Sequence, residues 1–187
     1  HTAMNQAQKA FTYVDSFAQE IREITENRFF LDVYTCSRND RKNGTLERVV
    51  GDTVLLCNYP DQYKKDTKLG FKWLNENGTI SDFDSLNGLL TTSVETTKEI
   101  RELFNSKHTH IFITAFKAFL ELGYEDKEYG KFLEWFISGG NEIEIDGKTW
   151  NMLGVDRSTR DMGIVHGKIN HLVALMELYA KEIQKAA

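Results

Sequence analysis

The chain has 187 residues, of which 41% are hydrophobic, enough to bury one good core or two small ones. Its formal charge of −5 and pI near 5.6 exclude nucleic-acid binding by bulk electrostatics and leave room only for a local basic site. It holds no apolar run long enough to span a bilayer and no signal-peptide pattern, so a cytoplasmic location without membrane contact is expected. Cys36 and Cys57 lie in apolar segments without CxxC spacing, which predicts two buried free thiols rather than a disulfide or a metal pair. His1-Thr2-Ala3 reads as the remnant of a cleaved tag, with Met4 as the native start. The lone Pro60 marks no linker.

In chain order, Phe11, Val14, Phe17, Ala18, Ile21 and Ile24 line one side of an amphipathic helix running from Ala7 to about Glu26. The aromatic and β-branched run Arg28 to Cys36 predicts a strand. Ser37 to Thr45 then reads as a polar loop carrying Arg38, Arg41 and Lys42. Val49 to Leu56 reads as two strands joined at Gly51-Asp52, and Phe71 to Leu74 with Thr79 to Ser81 as two more about Asn77-Gly78.

The second half changes period. Thr96-x-x-Glu99 opens a short helix through Phe104, and Ser106 caps a longer one through Leu122, ended by Gly123. Asp126 opens a third, with Tyr129, Phe132, Leu133, Phe136 and Ile137 as its stripe and Gly139-Gly140 as its end. Asn141 to Met152 reads as a hairpin about Asp146-Gly147, pairing Ile143 with Trp150. The expected fold is therefore α+β: an N-terminal helix and small antiparallel sheet, then a mainly helical half with a long C-terminal helix. Two packed subdomains, 4–92 and 93–187, and a single unit over 4–187 both fit.

The last helix carries the strongest pattern. Met162, Val165, Ile169, Leu172, Met176, Tyr179 and Ile183 recur at spacings of three and four, and Asp156 or Ser158 with Asp161 can cap the start near Val155. Gly163, Gly167 and Ala174 fall on the opposite face, with Asn170 and His171 beside them. A helical glycine costs about 1 kcal/mol relative to alanine, so two of them predict a second backbone packed close, in this chain or in a homodimer.

At the mouth of that helix stand Arg157, Ser158, Thr159 and Arg160. Arginines oppose the positive end of a helix dipole, so an anion should offset them. Either Asp156 and Asp161 do so, or a phosphate sits on the free N–H groups among these four residues. The run Arg160-Asp161-Met162-Gly163-Ile164-Val165-His166 resembles the motif of the HEPN ribonuclease family. Its members carry an arginine, usually followed by a polar residue, then a histidine after four to six positions, near the start of a late helix. The resemblance implies that Arg160 binds the scissile phosphate, that His166 helps activate the ribose hydroxyl, and that two copies meet at a dimer interface. It also implies an all-helical bundle, from which the strand-like first half departs.

Other candidates read more simply. His108 and His110 open a helix, where alternate residues diverge, so no metal ligand set is expected. Glu142, Glu144, Asp146 and Lys148 fit a solvated hairpin face, and no phosphate-binding or dinucleotide loop is present, so no cofactor is expected. Two functions follow: a non-catalytic interaction or nucleic-acid-associated module self-associating through the last helix, or a metal-independent ribonuclease using Arg160 and His166.

Overall fold

The computed structural model describes residues 18–77 and 81–186. Among them there is no strand, and the expected antiparallel sheet is replaced by helices. These are α1 (Ala18–Thr25), α2 (Arg38–Lys42), α3 (Thr45–Asn58), α4 (Thr67–Asn77), α5 (Ser81–Ser93), α6 (Lys98–Leu103), α7 (Thr109–Glu121), α8 (Asp126–Ile137) and α9 (Met162–Ala186). A π-helical turn covers Phe29–Val33, and 3-10 turns cover Pro60–Gln62, Gly140–Glu142 and Trp150–Met152.

The centre is α7 rather than the last helix. Ile111, Phe112, Ile113, Ala115, Phe116 and Phe119 are buried around its circumference, with α3 and α9 packed against it most extensively and α5 and α8 alongside. Phe136 of α8 meets Phe112 at 5.9 Å and Trp150 at 5.4 Å between ring centroids, which joins the helices to the 140–153 turns. One core cluster runs through all these elements, from Ile21 to Tyr179.

The strand expectation failed for a physical reason. Every residue of α3 from Val49 to Cys57 is buried. A helix enclosed on all sides has no polar face, so its sequence is a continuous apolar run with no 3.6-residue period. Val49, Val50, Thr53 and Val54 then lend it a β-like composition. Gly51 makes no turn; a methyl group there would run into the Phe71 ring of α4, so glycine lets the two helices approach. Phe29, Phe30, Val33 and Tyr34, expected in a strand, are buried at helical spacing in the π-turn and its exit. Arg38–Lys42 is a helix rather than a loop, closed by a reciprocal capping box between Ser37 and Asp40. The expected strand at Phe71–Leu74 lies in α4, while the turn at Gly78 and most of the first helix, 7–17, lie outside the described residues.

The second half follows expectation more closely. Thr97, one residue later than expected, caps α6 through Ile100 N, and Gly123 (φ 92°) and Gly139 (φ 138°) follow α7 and α8 in left-handed or related conformations. The hairpin at Asp146-Gly147 is reduced to one bridge, Ile145 to Lys148, and Trp150 turns inward instead of pairing with Ile143. Helix α9 begins at Met162, seven residues after the expected start, because Gly154 (φ 71°) and Asp156 (φ 63°) hold 153–161 in turns. Of its expected seam, Val165, Leu172, Met176 and Tyr179 are buried and Ile169 half-buried, while Met162 and Ile183 at the two ends are exposed. The glycine face is the correction: a Cβ at Gly163 or Gly167 meets nothing within 4 Å, Ala174 is half-buried, and no second helix among the described residues covers them. Cys36 and Cys57 are both free, Cys57 buried and Cys36 half-buried. No helix among the described residues is long and apolar enough to cross a membrane.

Candidate anion-binding site

The site is built outward from one buried carboxylate. Asp52 is 2% exposed in the middle of α3, where an unpaired charge would be costly. Two arginines answer it. Arg48, one turn earlier, reaches Asp52 Oδ2 at 3.1 Å and donates its other terminal nitrogen to the Ser106 carbonyl at 3.0 Å. Arg160 arrives from a turn 108 residues away and makes a two-pronged pair, Nε to Oδ2 at 2.8 Å and Nη2 to Oδ1 at 3.0 Å, with a third bond from Nη2 to Thr67 Oγ1 at 2.9 Å. Desolvation works against the Arg160 charge, but the hydrogen bonds and negative charge of Asp52 outweigh it and hold the guanidinium above its ordinary pKa.

Two further bonds fix the same turn. The Tyr63 hydroxyl donates to the Arg160 carbonyl at 2.7 Å, and His110 Nε2 to the Thr159 carbonyl at 3.0 Å. The segment leading into α9 is thus fastened to α3, α4, α7 and the turn after α3. Beside it opens a cleft of about 510 Å³ lined by Lys65, Asp66, Thr67, Lys68 and Arg160. Asp66 caps α4 by accepting from Lys68 N at 2.9 Å and Leu69 N at 3.3 Å. Lys65 pairs with Asp161 at 2.6 Å, and that bond, foremost, holds the half-buried Asp161 carboxyl below its usual pKa. Arg157 pairs with Asp161 at 3.6 Å. The cleft lining thus sets Lys65, Lys68 and Arg160 beside Asp66, with Lys65 paired to Asp161 and Arg160 to Asp52.

The four residues expected to hold phosphate separate. Arg160 lines the cleft with its guanidinium bound to Asp52; Arg157 is largely exposed; Ser158 Oγ accepts from Arg160 N at 3.2 Å; and Thr159 contributes a carbonyl to His110. Asp161 offsets Arg157 as expected, but the partner of Arg160 is Asp52, not a neighbour along the turn. His166 is exposed, one turn into α9, and makes no hydrogen bond or ion pair among the described residues. Among those residues no group of three or more His, Cys, Asp or Glu side chains could hold a metal ion.

Asp52, Lys65 and Lys68 do not stand out in the sequence. Asp52 does carry a signal: a lone carboxylate inside nine buried residues needs a cation, and reading Gly51-Asp52 as a turn hides it. No family model, curated protein or solved structure matches the chain.

Proposed function

We propose that the protein is a non-catalytic interaction module that binds the phosphate of a nucleic-acid backbone in the cleft between Lys65–Lys68 and Arg160. One observation carries the reading: the Arg160 guanidinium is held in place by a buried carboxylate at the wall of a cleft that two lysines also line. A cation fixed before the ligand arrives loses little conformational freedom on binding. Asp52 and Thr67 occupy Nε and Nη2, which leaves Nη1 of the fixed guanidinium to contact a bound phosphate. The Gly163–Gly167–Ala174 face of α9 is the self-association surface in this reading, since the space over Gly163 and Gly167 is open to a partner helix.

Fluorescence anisotropy with a labelled single-stranded oligonucleotide tests the cleft. Binding should weaken with salt, and Lys65→Ala with Lys68→Ala should reduce the log–log salt slope by about 1.4, roughly 0.7 for each phosphate no longer neutralised. An unchanged slope removes the cleft from the proposal. Sedimentation over a range of concentrations tests the surface, and a monomer throughout removes it. The ribonuclease reading gains from the helical architecture and from Arg160 and His166 flanking the start of α9.

A further inference from the structure

A second cluster lies on the buried side of α9. Lys168 is 6% exposed. Its Nζ donates to His108 Nε2 at 2.9 Å and sits 4.5 Å from the centre of the Trp150 ring. No carboxylate pairs with it among the described residues, and burial lowers its pKa. Burial foremost, and then the Lys168 charge, take His108 down to about 3, so that at neutral pH its Nε2 lone pair is available. His171, three residues on and 5% exposed, packs 6.3 Å from Trp150, and its Nε2 has no hydrogen-bond partner among the described residues. A buried lysine without an acid and a buried imidazole nitrogen without a partner are both costly. Arranged round one indole, they make sense if a ligand completes them.

We propose that Lys168 is a reactive amine that condenses with a small carbonyl compound, an aldehyde or 2-oxo acid, at a site formed with His108, Trp150 and His171. The Nζ lone pair attacks the carbonyl carbon. His108 Nε2 takes in turn the two protons that Nζ sheds and passes them to the oxygen, which leaves as water. Amine and carbonyl give imine and water, with no oxidant or reductant needed. The imine then takes up a proton from solvent, and the face of Trp150 stabilises the resulting iminium as it does the ammonium, while His171 Nε2 supplies the hydrogen bond for a polar group on the ligand.

The test is reductive trapping on the intact chain. Glyoxylate and cyanoborohydride at pH 6.5, followed by peptide mass mapping, should mark Lys168 well ahead of exposed lysines such as Lys98, whose side chain is 84% exposed. A lowered pKa raises an amine's free-base fraction, so Lys168 is expected to react faster than Lys98. Lys168→Arg should lose that mark, and His108→Gln should slow its appearance. Lys168 left unmodified in the unsubstituted protein, or modified no faster than Lys98, overturns the proposal whether or not the variants fold. An unchanged rate in His108→Gln overturns the proton-transfer assignment.

Discussion

Arg160→Ala separates a structural arginine from a solvent-facing one. The substitution removes two hydrogen bonds to Asp52 and one to Thr67. It leaves a carboxylate whose side chain is 3% exposed with Arg48 as its remaining ion-pair partner, at 3.1 Å. Breaking a buried ion pair from one side costs about 3–5 kcal/mol, and retention of Arg48 places this case lower, at about 2–3 kcal/mol. Arg157→Ala removes only a 3.6 Å pair whose arginine is 61% exposed, which should cost less than about 0.5 kcal/mol. Urea melts of both variants at pH 7, analysed at a common m-value, give the comparison. If Arg160→Ala stays within about 1 kcal/mol of the unsubstituted protein, or costs no more than Arg157→Ala, then Asp52 does not depend on it and the pinned turn is wrong.

Other outcomes follow from the same packing. Phe136→Ala should cost about 3–5 kcal/mol in denaturant melts, because its ring is 1% exposed between Phe112 and Trp150; a loss below about 1 kcal/mol would contradict that enclosure. Gly163→Ala with Gly167→Ala should stabilise the monomer by about 1–2 kcal/mol, since the added methyl groups meet nothing, and a lower Tm at unchanged mass would contradict the open face. Burial takes His108 down to about 3 and His110 down to about 4 from 6.5. Between pH 6.5 and 4 the unfolded chain binds protons that the folded chain refuses, so stability is greatest above pH 6.5 and falls on acidification. The slope reaches about 1.4 kcal/mol per pH unit for each histidine. Melts across this range should show a shallower slope in His108→Gln, and an unchanged slope would mean that His108 adds nothing to the acid sensitivity.

The helices that have a solvent face were legible in the sequence, and those that lack one were not. Tyr129, Phe132, Leu133 and Phe136 alternate with exposed residues such as Lys131 and Glu134, so α8 shows its period and both its ends. Helix α3 shows none, because neighbours cover it on every side, and its β-branched residues then resemble strand composition. The hairpin turn at Asp146-Gly147 was readable from its two positive-φ residues, but the ladder beyond it gave way to burial of Trp150.

The two clusters were half-legible for a related reason. Arg160 stood out at a helix mouth, yet its partner lies in another helix 108 residues away, a pairing that no local pattern encodes. Lys168 falls on the apolar seam of α9, three residues after Val165 and four before Leu172, and a charged residue in that position is itself a sign of buried function. The glycine pair was correctly placed on the face opposite the seam, but the cost of a glycine in a helix does not say whether its neighbour is water or another chain.

The central claim, that Arg160 is held by Asp52 in a site that binds phosphate without cutting it, is tested most directly by incubating the protein with a labelled unstructured oligoribonucleotide in the presence of a chelator and resolving the products on a denaturing gel. The expected result is a salt-sensitive complex whose RNA is recovered at full length. Cleaved RNA, with cleavage abolished in both Arg160→Ala and His166→Ala while the variants remain folded, would contradict it and establish the ribonuclease reading in its place.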